Sequence, residues 1–75
     1  MSFLPILSGS DVCKILNKIG FEIDHQTGSH IILRNIKSPY RRVTVPNHKT
    51  IAKGTLRNII REVGLTVEEF KNLQT

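Results

Sequence analysis

The sequence predicts an α+β fold in which a layer of helices packs on one face of a three-stranded antiparallel sheet. Two amphipathic helical patterns flank three short segments in which polar and apolar residues alternate. Short connections with turn residues join those segments, which favours antiparallel neighbours. The predicted order is α-β-β-β-α followed by a short terminal helix, a two-layer sandwich. At 75 residues, the chain is predicted to form one domain spanning 1–75.

The first helix is predicted from a capping pattern and an apolar stripe. Ser8 and Ser10 are both suitable N-caps, and with Ser8 in that position Asp11 becomes the third helical residue and completes a capping box. Cys13 falls within this helix, where we interpret it as a small buried hydrophobe. Gly20 is placed to end the helix. The stripe repeats at i, i+3, i+4 and i+7 through Val12, Ile15, Leu16 and Ile19.

The first strand is predicted over residues 21–26. Simple alternation puts Phe21, Ile23 and His25 on one side, which we expect to be the buried side. His25 is therefore interpreted as a half-buried structural residue. A break at Thr27-Gly28 ends the strand, and its shortness predicts a hairpin.

The second strand is predicted over residues 29–36. Ile31 and Leu33 share one side, while His30, Ile32 and Arg34 share the other. Ile31 and Leu33 make the better core pair. We therefore expect His30 and Arg34 to lie together on the accessible side of the sheet.

The third strand is predicted over residues 41–45, after a turn around Ser38-Pro39. Val43 and Val45 lie on one side of it, and Arg42 and Thr44 lie on the other. Pro46 cannot donate a ladder hydrogen bond, so it is predicted to end the strand.

Two further helices are predicted after a basic loop. The longer helix ends at Gly64, and Thr66 caps the short one, with Glu69 at its third position completing a second capping box. Phe70 and Leu73 supply apolar contacts from the short helix. The apolar face of the longer helix is formed by Leu56, Ile59, Ile60 and Val63.

The charge of the chain favours a polyanionic partner. A net charge of +5 and an isoelectric point near 9.9 suit nucleic acid, an acidic protein or a membrane surface. The start of the chain lacks the features of a signal peptide, and no apolar run reaches the ~20 residues of a membrane span. We therefore expect a soluble cytoplasmic protein.

Few residues suggest catalysis. A single cysteine allows neither an internal disulfide nor a cysteine-based zinc site, and no phosphate-binding or dinucleotide glycine pattern is present. The three histidines lack the spacing that places two imidazoles on one helix face, so we expect no metal and no cofactor. The sequence shows no pair of carboxylates suited to acid–base catalysis. The histidines are therefore the remaining candidates for proton transfer.

A histidine on a basic surface suits RNA chemistry. Imidazole ordinarily titrates near neutral pH, and RNA carries its own nucleophile, the 2′-hydroxyl. A base that removes the 2′-hydroxyl proton lets that oxygen attack the adjacent phosphorus, while cationic side chains stabilise the phosphoryl charge. His30 is the best placed candidate, although a histidine at the start of a strand is usually structural or merely exposed. His48, in the basic loop, is compatible with a second proton donor, a phosphate contact or a loop-stabilising residue.

The order of several short motifs resembles the HicA family of toxins from toxin–antitoxin systems. Together they span nearly the whole chain, with appropriate spacing. They are "LSGSDVCKILNKIGF", Gly28-Ser29-His30, "VTVPNH" from Val43 to His48, "KGTLRNIIR" from Lys53 to Arg61, and "GLTVEEF" from Gly64 to Phe70.

The resemblance implies a fold like that of a double-stranded RNA-binding domain and a ribosome-independent mRNA interferase activity that arrests translation. It implies that His30, within the Gly28-Ser29-His30 motif, is the catalytic histidine. It also implies a HicB-like antitoxin as the partner that covers the site. Many members carry a polar or aromatic residue directly after the histidine, whereas this chain has Ile31.

Three functional hypotheses follow. The first is a metal-independent endoribonuclease in which His30 is the general base, the general acid is His48 or water, and four cations hold phosphates: Arg34, Lys49, Lys53 and Arg57. The second is a double-stranded RNA-binding module without catalysis, which the scarcity of aromatic residues also allows. The third is an adaptor whose basic face binds an acidic protein.

Overall fold

Residues 4–74 are described by the computed structural model, and their elements follow the predicted order. They are α1 (Gly9–Asn17), β1 (Phe21–Thr27), β2 (His30–Asn35), β3 (Arg42–Pro46), α2 (Lys53–Glu62) and α3 (Val67–Leu73). The strands form one antiparallel sheet in the order β1-β2-β3. The predicted α+β class and element order are confirmed.

The outer limits of the predicted domain 1–75 lie outside the described residues. No helix within 4–74 has the length and apolar character needed to cross a membrane.

Within residues 4–74, the helices pack on one face of the sheet and leave the other face uncovered. α1 packs against β1 and β3, and α2 packs against β3. The buried hydrophobic side chains of helices and strands join in one cluster, which includes Ile31, Leu33, Val43 and Val45. This confirms the side predicted to be buried in the second and third strands. The strand pairing places a second set of side chains on the other side of the sheet, here called the open face: Glu22, His25, Thr27, His30, Ile32, Arg34, Arg42, Thr44 and Pro46.

The helix starts confirm both predicted capping boxes. Ser8 Oγ accepts from the Asp11 amide at 3.0 Å, and the Asp11 carboxylate accepts from the Ser8 amide at 3.1 Å. Those hydrogen bonds lower the pKa of Asp11. Thr66 and Glu69 make the equivalent pair at the start of α3.

The helix ends differ in how well they were predicted. Gly64 adopts a φ of 83° directly after the C-cap of α2, and its amide and that of Leu65 bond back to Arg61 and Ile60, a Schellman motif. By contrast, α1 ends at Asn17 rather than just before Gly20. The amides of residues 18–20 bond to carbonyls three residues back, which tightens the last turn and ends the α-helical pattern early.

The third strand contradicts one sequence expectation. It begins at Arg42 and includes Pro46, which was predicted to end it. Pro46 pairs with His30 at the end of an edge strand, a position where the missing amide donor is tolerated.

The first strand contains a bulge that overturns the prediction for His25. Phe21 pairs with Asn35 and Ile23 with Leu33, but the register then shifts, so that His25 pairs with Ile32. Asp24 is the extra residue. Because of the shift, His25 lies on the open face, where 53 % of its side chain is exposed, and not on the buried side with Phe21.

Candidate active site

His30 is the first residue of β2 and is presented by a two-residue hairpin loop. Gly28 occupies the first loop position with a φ of 55°, the left-handed region that short hairpin loops need and that glycine adopts without strain. The loop closes with Thr27 paired to His30. On its other side His30 pairs with Pro46 of β3. His30 is therefore the first residue of the central strand, which has a strand on each side, and it is exposed.

A loop after β3 fixes this end of the sheet. The Asn47 amide donates to the Ser29 carbonyl at 2.6 Å, and the Gly9 amide donates to the His48 carbonyl at 2.9 Å. Gly9 is buried so closely against Pro46 that a Cβ there would lie 2.2 Å from its carbonyl oxygen. The first residue of α1 thus supports the strand end opposite His30. We call this region the His30 corner: residues 28–30, 46–48 and Gly9.

The middle of the open face carries two arginines that pair with each other. Arg34 lies directly opposite Arg42, and Glu22 lies opposite Arg34 on the other side. Like charges directly opposite on neighbouring strands destabilise a sheet. The arrangement is therefore unfavourable in the free chain and suits an anionic ligand on this face. His30 and Arg34 are both exposed on it, as expected.

His25 has an orienting partner. Its Nδ1 lies 2.7 Å from Asp24 Oδ2, and both side chains are accessible, 53 % and 38 % exposed. An ionised carboxylate accepts hydrogen bonds only, so Nδ1 is the donor. This leaves Nε2 as the ring nitrogen available to a ligand.

The remaining cations predicted to bind RNA are exposed but are divided between two regions. His48 and Lys49 lie in the loop of the His30 corner, and Lys53 begins α2. Arg57 lies one turn further along α2 and, with Arg61, lines a shallow depression beside Thr66 at the start of α3. The bond from Asn47 to Ser29 thus holds the start of the loop that carries His48 against the strand end of His30, whereas Arg57 lies on the α2–α3 side.

The described residues contain no preformed metal site. Within 4–74, no group of three or more histidine, cysteine, aspartate or glutamate side chains is arranged to hold an ion. Cys13 is buried in α1, as predicted, and burial raises the pKa of its thiol.

Sequence reasoning did not assign three residues to the site: His25 and Arg42 on the open face, and Asp24, the bulge residue beside His25. Arg42 follows from pairing it with Arg34 once the register is known. The bulge could be inferred from the sequence only indirectly, from two ways of counting the alternation that disagree. Counting back from the Gly28-Ser29 loop makes Phe21 face solvent. Counting forward from a buried Phe21 makes His25 face the core. Only one extra residue between them satisfies both ends of the hairpin.

The open face carries the groups that are needed to bind and rearrange a phosphodiester. It offers exposed imidazoles at two positions, His25 and His30, and two guanidinium groups directly opposite each other at Arg34 and Arg42, with the single carboxylate of Glu22 beside them. Imidazoles transfer protons near neutral pH, and guanidinium groups stabilise charge on phosphoryl oxygens.

Comparison with known proteins shows to which family the chain belongs. No individual curated protein matches the chain. A family model described as the HicA toxin of bacterial toxin–antitoxin systems matches residues 9–65, more than half of the 75 residues. The match begins at Gly9 and runs through the whole sheet and α2, so it contains every part of the His30 corner. The chain belongs to the HicA family and is the toxin of a bacterial toxin–antitoxin system, which implies an antitoxin partner.

Proposed function

We propose that this toxin is a ribosome-independent mRNA interferase, a metal-independent endoribonuclease in which His30 is the general base. The observation that carries the proposal is the exposed imidazole of His30 at one end of the same sheet face that carries Arg34 and Arg42. We further propose that residues 1–75 act as one nuclease domain in the cytoplasm, where mRNA is present.

The proposed chemistry uses the 2′-hydroxyl of RNA. His30 removes its proton, the 2′-oxygen attacks phosphorus, and the bond to the 5′-oxygen breaks. The departing oxygen takes one proton from a general acid or from water, which leaves a 2′,3′-cyclic phosphate and a 5′-hydroxyl end. Arg34 is on the same face and neutralises the phosphoryl oxygens. Lys49 and Lys53 continue the positive surface along the loop that leaves the His30 corner, and Arg57 extends it toward α3.

The experiment compares the wild type with His30→Ala and His30→Asn in purified form. General acid–base catalysis contributes roughly 10²–10⁴-fold, so both variants should lose activity by about that factor. Cleavage is followed in EDTA, the product ends are identified by mass spectrometry, and growth arrest is scored on induction. Circular dichroism verifies folding. Equal cleavage and equal growth arrest by wild type and variants would overturn the role of His30.

The like-charge pair on the open face also supports a second candidate, RNA binding without catalysis. Each phosphate contact steepens the fall of affinity with salt by about 0.9 in logarithmic slope on a duplex. In either case Arg34→Gln should weaken RNA binding and flatten that slope by about one unit. Binding is measured at several salt concentrations. RNA that stays intact on the wild-type protein in EDTA would favour the non-catalytic module.

The proposed antitoxin is a HicB-like protein that covers the open face. Three exposed apolar side chains, Ile23, Ile36 and Tyr40, line a groove together with Arg34, and a bound protein would bury them. Such an antitoxin should block RNA cleavage. Ile36→Ser, which leaves the charge of the groove unaltered, should weaken that inhibition without changing cleavage by the free toxin, and unchanged inhibition would exclude this groove from the interface.

A further inference from the structure

The bulge in β1 brings a second histidine to the face that carries His30. His25 pairs with Ile32, and Thr27 pairs with His30, so His25 and His30 are diagonal neighbours on adjacent strands. Bulges re-aim side chains in this way, often beside active sites. If Asp24 took a regular place in the alternation of the strand, His25 would face the opposite side of the sheet.

The spacing suits one phosphodiester. Diagonal neighbours in an antiparallel pair are roughly 7–8 Å apart at the backbone, a separation that side chains as long as histidine span and that lets both imidazoles reach one ligand. The groups around His25 on this face are Glu22 and Thr27 on its own strand and Ile32, His30 and Arg34 on β2. The two imidazoles and Arg34 thus border the same small area.

His25 also has what a proton-transferring imidazole requires. The Asp24 carboxylate, 2.7 Å from Nδ1, fixes the ring and its tautomer and leaves Nε2 toward the ligand side. His48 differs in this respect: within residues 4–74 its imidazole makes no hydrogen bond, and only its backbone carbonyl is held, by Gly9.

We infer that His25 is the general acid of the RNA-cleavage reaction and that Asp24 is its positioning residue; this inference rests on the proposed nuclease function. His30 takes the proton of the 2′-hydroxyl as the 2′-oxygen forms its bond to phosphorus. The phosphorus–5′-oxygen bond breaks, and His25, protonated on both ring nitrogens, gives the Nε2 proton to the departing oxygen and is left with the Nδ1–H that Asp24 holds. The products are the cyclic phosphate and the 5′-hydroxyl, and exchange with water restores both histidines.

The test uses two RNA substrates that differ in one atom. In the second, sulfur replaces the 5′-oxygen at the scissile bond, and the resulting thiolate leaves without being protonated. His25→Ala should cleave ordinary RNA about 10²–10⁴-fold more slowly than the wild type, yet should come within about tenfold of it on the sulfur substrate. His30→Ala should stay slow on both, because the 2′-hydroxyl still needs a base.

Asp24→Asn tests the positioning role with the same pair of substrates. Because Asp24 acts through His25, this variant should lose activity on ordinary RNA and regain it on the sulfur substrate. Glu62→Gln is the matched control: it makes the same change from carboxylate to amide on an exposed side chain at the end of α2, which belongs to the helix layer on the other side of the sheet. It should behave as wild type on both substrates. Circular dichroism and thermal melting establish that each variant is folded.

The outcomes separate the two proposals. A wild type that cleaves neither substrate overturns the nuclease function and this inference together. If the wild type cleaves RNA but His25→Ala is equally fast on ordinary RNA, or is not rescued by sulfur, the general-acid role of His25 is overturned while the nuclease function stands. If the sulfur substrate instead restores cleavage by His48→Ala, the general acid is His48 in the loop after β3, and the role of His25 is overturned.

Discussion

Replacing Gly9 with alanine should destabilise the fold by about 2–4 kcal/mol. The new Cβ would lie 2.2 Å from the Pro46 carbonyl oxygen and 3.1 Å from the Asn47 Cα, both of them backbone atoms. To reach an ordinary contact of 3.4 Å, the start of α1 must retreat from β3 by more than 1 Å. Overpacking of this kind costs about 1–3 kcal/mol. The retreat also stretches the 2.9 Å bond from Gly9 to His48, a further loss of about 1 kcal/mol.

Gly54 provides the matched control. It lies in the first turn of α2, and a Cβ there would meet no atom within 4 Å. Alanine at that position should stabilise the protein by about 0.5–1 kcal/mol, because it restricts the unfolded chain and suits a helix. Urea unfolding followed by circular dichroism gives the free energy of unfolding for both variants. A loss below about 0.5 kcal/mol in Gly9→Ala would refute the argument that this helix start is packed against the strand end.

Three further outcomes are expected. Arg42→Gln should raise the free energy of unfolding by about 0.2–1 kcal/mol, because it removes the like charge opposite Arg34; unchanged or lower stability in urea would contradict this. Asp11→Ala should lower stability most above pH 3.8 and progressively less in acid, since a carboxylate with a lowered pKa stabilises the fold only while ionised; urea titrations across pH measure the difference. Cys13 should react slowly with a thiol reagent in native protein and rapidly in urea, because burial raises its pKa; equal rates would argue against its burial.

What the sequence predicted well is local. Both capping boxes depend on residues three positions apart, and the Schellman end of α2 depends on one glycine, so short patterns determine them. The burial of Ile31 and Leu33 beside an exposed His30 and Arg34 follows from the two-residue period of an unbroken strand. These features could therefore be predicted without knowing the fold.

What the sequence did not predict depends on distant partners. His25 was assigned to the wrong face because a period of two assumes no inserted residue, and the bulge is visible only when both strands of the hairpin are paired. The support that Gly9 gives to Pro46 joins the first helix to the third strand through a backbone contact, and no pattern of side chains encodes it. The like-charge pair of Arg34 and Arg42 likewise emerges only from the register.

The His30 corner has a consequence for synthesis of the toxin. His30 leaves the ribosome well before the segment that holds it in place, because Pro46, Asn47 and His48 come later in the chain. The bond between Gly9 and His48 closes one of the longest loops in the fold, and such distant contacts form late. A nascent chain in which His30 has already emerged thus still lacks the strand and the loop that complete the proposed site. If His30 cleaves RNA as proposed, a growing chain should not cleave the mRNA that encodes it until β3 and the loop after it have emerged.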